Sequence, residues 1–304
     1  MDIYKAVKKV LDSGQYILGP EVEALEKEVA QYYNKKYAIG CNSGTDALFL
    51  ALKALGIGPG DEVITTPFTF VASSEVIANC GATPVFVDIN YRDFLISPLL
   101  IEKSITKKTK AILVVHLFGQ ACDMKEINRI AKEYGLFVIE DAAQAFGNSK
   151  IGSGDCLCFS FHPAKCLGCC GDGGMMLTNS KKVYDQFKLL HYHGAQLKDK
   201  YNNLIIGWNS RLDAIQAAIL RVRLKNFKKG LVKTLYTFRT PNRDLLKKWL
   251  EKEGMDVKVF YKTPMHLQPA FKYLGYKEGD LPIVEQACKE VLTINILRPY
   301  KEIR

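Results

Sequence analysis

Residues 110–147, KAILVVHLFGQACDMKEINRIAKEYGLFVIEDAAQAFG, contain two short apolar runs separated by a helical pattern. The runs lie at 111–115 and 136–139, and neither shows the polar alternation of a half-exposed strand. Between them, Ile127 and Ile130 repeat with the period of one helical face over 123–134, and a glycine follows as a stop signal. Two buried strands joined by a crossover helix predict a parallel sheet.

The same alternation of apolar runs and helical stretches extends over about residues 36–178. Further short runs lie at 63–64 and 84–87. Repeated units of this kind are typical of an α/β protein. We therefore predict a large domain with a mainly parallel sheet and helices on both of its faces.

The pattern changes towards the C-terminus. A long helix is predicted from Ser210, which has roughly capping-box spacing to Asp213. Beyond this helix the composition changes, and a new helical pattern covers 242–253. We predict two domains, a large one over 1–227 and a small one over 228–304.

The composition is that of a soluble globular protein. The chain has 304 residues, 48% of them hydrophobic, and a net charge of +10. This charge suits an anionic partner such as a phosphate-bearing metabolite. The basic segment 221–233 lacks the interleaved aromatic residues of a nucleic-acid surface, so we favour a solvated helix end there and expect no nucleic acid partner.

Features of export or membrane insertion are not evident. The N-terminal stretch scatters charges along a helical period and lacks the apolar core of a secretory signal. The most apolar window, 63–87, contains Pro67, Gly81 and Pro84, which make it a poor bilayer helix. We expect a cytoplasmic protein without a membrane partner, and its nine cysteines are expected to be reduced thiols.

Three segments with polar residues follow predicted strands, where ligands gather in α/β sheets. The first is CNSGTDAL, 41–48, at the start of an apolar helix over 45–55. Gly44 permits close backbone approach, Thr45 adds a hydroxyl, and the first-turn N–H groups suit a phosphate. A plain helix N-cap accounts for the same residues.

The other two segments carry an acid and a lysine. In VIEDAAQAFG, 138–147, an apolar strand ends in Glu140 and Asp141. In FSFHPAKCLGCCGDGG, 159–174, a strand breaks at a proline and leaves Lys165 in a Gly-rich loop. An acid at a strand end is often a turn residue, and most lysines are solvated. A lysine among apolar and small residues, however, is easily desolvated and becomes nucleophilic.

The cysteines of this region offer a competing interpretation. Cys156-x-Cys158 and Cys166-x2-Cys169 could supply four thiolates to a metal such as zinc. The first pair lies on a predicted strand, and no turn between the pairs would obviously fold them together. We therefore favour the lysine over the cysteines and predict no metal site.

A phosphate cradle, an acid at a strand end and a desolvated lysine together meet the needs of pyridoxal phosphate. The lysine forms a Schiff base with the aldehyde of this cofactor, the acid keeps the pyridinium nitrogen protonated, and the helix N-terminus holds the phosphate. The residues therefore predict a pyridoxal-phosphate enzyme.

The chain resembles the DegT/DnrJ/EryC1/StrS family of sugar aminotransferases. The resemblance rests on GPEVEALEKEVAQYY, NSGTDALFLALKALGIGPGDEVITTPFTFVASSEVI, KAILVVHLFGQACDM, VIEDAAQAFG, FSFHPAKCLGCCGDGG and WNSRLDAIQAAILRVRL. It covers about residues 15–225 and resumes weakly at TPMHLQPAF, 263–271.

This resemblance implies the PLP-transferase fold type I and assigns the two catalytic residues. Lys165 is implied to be the Schiff-base lysine, and Asp141 the partner of the ring nitrogen. Family members that dehydrate their substrate typically carry histidine in place of this lysine, so Lys165 favours nitrogen transfer. Phe70 is implied to stack on the ring, and Gln144 to lie near its 3-hydroxyl group.

The resemblance also implies how the phosphate is held. Gly44, Thr45 and Ser160 are expected to bind it within one subunit. Asn209 is expected to reach the phosphate of a neighbouring subunit, which would make the protein a homodimer with shared active sites.

The implied reaction moves an amino group from L-glutamate to a keto nucleotide sugar. The motif PAKxLGCxGDGG is similar to that of enzymes acting on UDP-3-keto-hexuronates. The chain departs from the family where the usual insertion between Gly147 and Gly154 is reduced to NSKI, and where Phe260 and Lys262 replace the common histidine and proline of a substrate-contacting segment. Much of the small domain beyond Phe227 is also missing, and this departure favours an alternative. The alternative is a non-catalytic homologue that binds pyridoxal phosphate or pairs with a full-length relative.

Overall fold

The structure is a computed structural model that describes residues 2–227 and 235–295. In chain order, its helices α1 to α10 are Ile3–Ser13, Pro20–Tyr32, Gly44–Ala54, Ala72–Asn79, Pro98–Lys103, Met124–Tyr134, Lys181–Leu190, Ala214–Lys225, Arg243–Lys252 and Pro282–Glu290. Its strands β1 to β12 are Tyr37–Cys41, Glu62–Thr65, Thr83–Phe86, Thr109–Val115, Phe137–Asp141, Cys156–Ser160, Gly174–Thr178, Ala195–Gln196, Asp199–Asn203, Leu235–Arg239, Val257–Lys258 and Val291–Asn295.

The central sheet contains seven strands in the order β1-β7-β6-β5-β4-β2-β3. Neighbours from β6 to β3 pair in parallel, whereas β7 is antiparallel to both β6 and β1. Strands β1 to β6 consequently end at one edge of the sheet, where β7 begins at Gly174. The predicted, mainly parallel sheet is confirmed, but β7 escapes the sequence pattern because a loop leads into it rather than a crossover helix.

Side chains of β6 alternate between the two faces of this sheet. Leu157 and Phe159 pack into a buried cluster with residues of α1, α2 and α8. Cys156 and Cys158 pack on the opposite face with residues of α3 and α6. Helices cover both faces, which explains why the strands are nearly continuous apolar runs.

Two helix predictions have different outcomes. The crossover helix is confirmed: the Asp123 side chain accepts from Glu126 N at 3.2 Å, and Gly135 ends the helix with a positive φ of 68°. The prediction that a helix begins near Ser210 is wrong, because α8 begins at Ala214 after its N-cap residue Asp213. The Ser210 hydroxyl instead bonds the first turn of α3.

The C-terminal part forms a three-stranded antiparallel sheet in the order β10-β12-β11, with α9 packed on it. Several hydrogen bonds connect this part to the residues that follow strands of the central sheet. The Asp88 carboxylate accepts the first-turn amides Ile283 N and Val284 N of α10, each at 2.9 Å, and Met265 N donates to the carbonyl oxygen of Pro67 over 2.8 Å.

The predicted boundary between residues 227 and 228 borders residues 228–234, which lie outside the described residues. The division into 1–227 and 228–304 therefore stays a prediction. Within the described ranges, no helix has the length and apolar character needed to cross a bilayer.

Candidate active site

The first turn of α3 packs closely against the ends of β6 and β7. Ser43 caps this helix through its side-chain oxygen. A Cβ atom at Gly44 would lie 2.6 Å from Ser160 Cβ, and one at Gly174 would lie 2.2 Å from the Ser43 carbonyl oxygen. Any side chain at either glycine would therefore force these elements apart. The close approach brings the predicted phosphate residues Gly44, Thr45 and Ser160 into one cradle at the helix N-terminus, where N–H groups favour an anion.

Asp141 is the last residue of β5, and its carboxylate is buried. Ser73 Oγ donates to Asp141 Oδ2 over 2.7 Å, and Ala143 N donates to Oδ1 over 3.1 Å. Both donors are neutral, and across residues 2–227 and 235–295 no cation forms an ion pair with this carboxylate. Burying a carboxylate without a cation is costly. The position therefore fits a cationic group supplied by a ligand, such as a pyridinium.

Glu140, the neighbouring acid, is not part of this site. Its carboxylate is completely buried, lies 2.7 Å from His116 Nε2, and accepts Gly152 N at 2.7 Å and Gly154 N at 2.5 Å. Because His116 Nδ1 accepts Cys122 N at 3.2 Å, the ring proton is on Nε2 and points at Glu140. Burial alone would raise the pKa of Glu140, but the hydrogen bonds outweigh it and hold the pKa below its ordinary value. Of the two acids at this strand end, Asp141 alone remains available to a ligand.

Lys165 lies in the loop between β6 and β7, at the same edge of the sheet. Its backbone N donates to the carbonyl oxygen of His162 over 2.8 Å. The next residue, Cys166, donates its thiol to the carbonyl oxygen of Gln144 at 3.4 Å, which connects this loop to the turn that follows Asp141. The lysine side chain is only half-buried. That Lys165 is desolvated stays a prediction, and the three residues before it are exposed at the rim of the site.

Gln144 is held from two sides. Phe118 N donates to Gln144 Oε1 over 2.8 Å, and Gln144 Nε2 donates to the hydroxyl oxygen of Tyr261 over 3.3 Å. Burial raises the pKa of Tyr261 to about 12, so its hydroxyl stays protonated. Tyr261 is not among the residues predicted from the sequence, although Phe260 and Lys262 on either side of it are. Its position just before the family-like segment 263–271 is the signal that could have found it.

Phe70 and Asn209 are both exposed. The Phe70 side chain is 57% exposed on the turn that precedes α4, although it is a large aromatic residue. Asn209 accepts a hydrogen bond from the Arg211 guanidinium, and the adjacent Ser210 binds α3 by donating to Asp46 Oδ2 over 2.6 Å. The structure therefore brings seven predicted residues to one edge of the sheet and leaves Asn209 at the surface of its own chain.

The cysteines of the metal alternative have separate hydrogen-bond partners. Cys158 donates to the carbonyl oxygen of Ala47, and Cys169 donates to that of Phe161. Cys166 contacts Gln144, as described above. In the part of the chain that the structure describes, no three or more His, Cys, Asp or Glu residues are grouped in a way that could hold a metal ion. These contacts give the metal alternative no support.

Comparison with protein families finds a match to the DegT/DnrJ/EryC1/StrS aminotransferase family over residues 1–236 and 231–301. Similar proteins include a pleiotropic regulatory protein of Geobacillus stearothermophilus, which is 42% identical over 99% of this chain and 91% of its own length. The dTDP-3-amino-3,4,6-trideoxy-alpha-D-glucose transaminase of Streptomyces venezuelae is 40% identical over 96% of this chain and 86% of its own. The UDP-2-acetamido-2-deoxy-3-oxo-D-glucuronate aminotransferase of Pseudomonas aeruginosa is 40% identical over 97% and 90%, respectively.

Solved structures give the same result. The crystal structure of DesV from S. venezuelae superposes with a TM-score of 0.92, at 40% identity over 96% of this chain and 88% of that chain. A sugar aminotransferase from Streptococcus pneumoniae, determined in its PLP form, superposes with a TM-score of 0.88, at 26% identity over 99% and 92% of the two chains.

These matches confirm the predicted fold type and the aminotransferase class, and the PLP form of a solved relative confirms the predicted cofactor. The cradle at Gly44, the unpaired carboxylate of Asp141 and the nearby Lys165 loop fit the phosphate, the ring nitrogen and the aldehyde of that cofactor. On the family match and on relatives that are 40% identical over nearly its full length, the chain belongs to the DegT/DnrJ/EryC1/StrS aminotransferase family.

Proposed function

We propose that this protein transfers the amino group of L-glutamate to a keto nucleotide sugar, with pyridoxal phosphate bound at the edge of the central sheet. The observation that carries the proposal is the buried carboxylate of Asp141, which has hydrogen-bond donors but no cation among the described residues. The turn after Asp141 is joined to the loop of the half-buried Lys165 by the hydrogen bond from Cys166 to the Gln144 carbonyl oxygen. Opposite a cationic ring, this carboxylate would gain the partner that its burial requires.

The chain's own residues would hold the cofactor as follows. Gly44, Thr45 and Ser160 would bind the phosphate with amides and hydroxyls, and Asp141 would accept a hydrogen bond from the protonated ring nitrogen. Phe70 covers one face of the ring, which accounts for an exposed aromatic side chain beside the site. When bound, the cofactor supplies an electron sink for the carbon that gains or loses the amino group.

Lys165 has two tasks in this proposal. Its Nζ atom binds the cofactor covalently in the resting enzyme and moves a proton once the amino donor has displaced it. Gln144 lies on the same turn as Asp141 and is oriented by Phe118 N, so it is suited to the 3-hydroxyl side of the ring. Tyr261 bonds Gln144 and therefore extends the site towards the C-terminal part of the chain.

The choice of a nucleotide sugar is supported by charge and by the relatives. The chain carries a net charge of +10, and Lys262, next to Tyr261, is exposed. Cations at the rim suit a diphosphate, and they equally suit the carboxylate of a UDP-3-keto-hexuronate. By their names, the S. venezuelae and P. aeruginosa relatives act on a dTDP-linked and a UDP-linked sugar, respectively. The motif around Lys165 favours the UDP-3-keto-hexuronate.

The active enzyme is proposed to be a homodimer. The segment 195–209 exposes large apolar side chains, among them Tyr201, Ile206 and Trp208, and Ile206 is 92% exposed. Clustered exposure of this kind marks an interaction surface. Because Asn209 ends this segment and is itself exposed, a second copy docked here would receive Asn209 beside its phosphate cradle. In a closed two-fold dimer, each subunit supplies its Asn209 to the phosphate cradle of the other.

An internal shortening supports the second candidate, the non-catalytic homologue. The alignment with the P. aeruginosa relative spans 329 positions, but it includes only 97% of this 304-residue chain. About 34 residues of the relative therefore have no counterpart in this chain. The family match also falls into two parts, over 1–236 and 231–301, which overlap at residues 231–236. A homologue that lacks part of the small domain could bind the cofactor without turning over.

A panel of acceptors separates the two candidates. The holoenzyme is first converted to its pyridoxamine form with L-glutamate and freed of small molecules. It is then offered UDP-, GDP- and dTDP-linked ketosugars, and the return of the visible cofactor band is recorded. The proposal expects return with one class of nucleotide sugar, fastest with a UDP-3-keto-hexuronate. A protein that binds the cofactor but responds to no amino donor and no ketosugar would be the non-catalytic homologue.

A further inference from the structure

We infer that Thr69 and Ser73 form a buried hydroxyl relay that positions the Asp141 carboxylate for the ring nitrogen. The Thr69 and Ser73 hydroxyl oxygens are 2.9 Å apart, and Ser73 Oγ is 2.7 Å from Asp141 Oδ2. The three residues are 2%, 1% and 6% exposed, respectively. This inference rests on the proposed function, because the role of the relay depends on what Asp141 binds.

The direction of the relay follows from proton counting. An ionised carboxylate only accepts hydrogen bonds, so Ser73 gives its single proton to Asp141. Ser73 must then accept from Thr69, which makes Thr69 the first donor of the series. Hydrogen bonds that point the same way polarise one another, and they favour the charged form of the group that ends the series. Thr69 thus acts on Asp141 only through Ser73.

The second carboxylate oxygen is fixed independently. Ala143 N donates to Asp141 Oδ1, so Oδ1 and Oδ2 each have one donor from the protein. A carboxylate oxygen has two lone-pair sites, and one on each oxygen remains for a ligand. The relay therefore sets the rotation of the carboxylate about its Cβ–Cγ bond without occupying all of its acceptor capacity.

Thr69 and Ser73 belong to the same short segment of chain as Phe70. Thr69 and Ser73 are buried on either side of this exposed ring, at the start of α4. The carbonyl oxygen of Pro67, two residues before Thr69, is anchored by Met265 N at 2.8 Å. One short segment therefore carries both the ring platform and the support of the ring-nitrogen acid. Ser73 and Thr69 are positioning residues, since neither is proposed to touch the reacting atoms.

The experiment compares Ser73→Ala, Thr69→Val and the double variant with a matched control. Ser74→Ala removes a serine hydroxyl that is equally buried in the same helix but has no hydrogen-bond partner among the described residues. Two quantities are measured for each protein: the dissociation constant of pyridoxal phosphate, and the pH titration of the Asp141 carboxyl carbon by ¹³C NMR in the cofactor-free protein. The Asp141 resonance is assigned by its loss in Asp141→Asn.

Ser73→Ala is expected to raise the dissociation constant about tenfold and to move the Asp141 titration to higher pH, because a donor to the charged form is lost. Thr69→Val is expected to do the same to a smaller extent, about threefold in affinity. The double variant is expected to match Ser73→Ala alone, and Ser74→Ala to match the wild type.

Two results would overturn the relay: additive effects of Thr69→Val and Ser73→Ala, or an Asp141 titration that Ser73→Ala leaves unchanged. A wild-type protein that binds no pyridoxal phosphate would contradict the proposed function instead. The NMR titration would still decide the relay in that case, since it needs no cofactor.

Discussion

The Cys166 thiol donates to the carbonyl oxygen of Gln144 over 3.4 Å, which joins the loop of the proposed cofactor lysine to the turn of the proposed ring-nitrogen acid. Lys165 precedes this cysteine, and Asp141 lies three residues before Gln144. The two proposed catalytic residues follow different strands, β5 and β6. These strands are parallel neighbours in the sheet, so the loops that follow them lie side by side. A flat cofactor can therefore contact both loops at once.

Substitution of Lys165 tests its covalent role. Lys165→Ala is expected to abolish covalent trapping of the cofactor, because the amine that forms the bond is removed. The measurement is the amount of pyridoxyl label retained by the denatured protein after borohydride reduction. Lys150→Ala, which removes an exposed lysine, serves as the control and should retain the wild-type amount. Unchanged labelling of Lys165→Ala would remove this residue from its assigned role.

The phosphate cradle is tested by adding one methyl group. Gly44→Ala places a Cβ atom 2.6 Å from Ser160 Cβ, so α3 must move away from β6. We expect pyridoxal phosphate affinity to fall by at least about tenfold, since the amides and the hydroxyl no longer converge on the phosphate. Gly58→Ala, beyond the other end of α3, meets only a carbonyl oxygen at 3.8 Å and is the matched control. Equal affinities of the two variants would argue against a phosphate at this helix.

Mixed subunits test whether Asn209 acts in its partner's site. Lys165→Ala and Asn209→Ala proteins are each expected to be nearly inactive, for different reasons. After unfolding and refolding together, a mixed dimer has one site with both residues intact. Statistical pairing makes half of the dimers mixed, so about a quarter of the wild-type activity is expected to return. Equal mixing without any gain would show that Asn209 does not serve a neighbouring subunit.

Acid sensitivity is expected from Glu140. Burial would raise the pKa of this carboxyl, but hydrogen bonds from His116 and two glycine amides lower it below the ordinary value of 4.5. A lowered pKa in the folded state gives stability that is present above pH 4.5 and is lost as the pH falls through the folded-state pKa. Glu140→Gln turns an amide NH₂ towards existing donors and should cost about 2–4 kcal/mol of unfolding free energy near neutral pH.

The measurement is urea unfolding of wild type and Glu140→Gln over a series of pH values. The difference between them is expected to shrink as the pH falls below the ordinary carboxyl pKa. Glu253→Gln, at an exposed position, should follow the wild type throughout. A difference that is independent of pH would mean that Glu140 is not ionised in the folded protein.

The sequence predicts the central sheet well because both faces of β4 and β5 are buried, which leaves continuous apolar runs. It also locates Gly44, Asp141 and Lys165, because parallel strands that end at one edge place their following residues together. The helix start predicted at Ser210 shows where local sequence pattern misleads. Its spacing to Asp213 suggests a cap, yet a residue far away in the sequence, Asp46, binds its hydroxyl.

The residues that support the site are less accessible to sequence reasoning. Ser73 and Thr69 are ordinary hydroxyl residues in a helix start, and only their contacts with Asp141 and with each other distinguish them. Tyr261 reaches Gln144 from a segment more than a hundred residues away in the chain. The desolvation of the half-buried Lys165 stays a prediction, since local composition does not tell which neighbours fold over a side chain.

The half-reaction with L-glutamate tests the central claim most directly. The yellow holoenzyme is mixed with L-glutamate in the absence of any sugar, and the visible spectrum and released 2-oxoglutarate are followed together. We predict loss of the visible cofactor band and release of one 2-oxoglutarate for each cofactor-bound subunit. A band that persists without any 2-oxoglutarate, while the cofactor remains bound, would contradict the claim that this site performs amino transfer from L-glutamate.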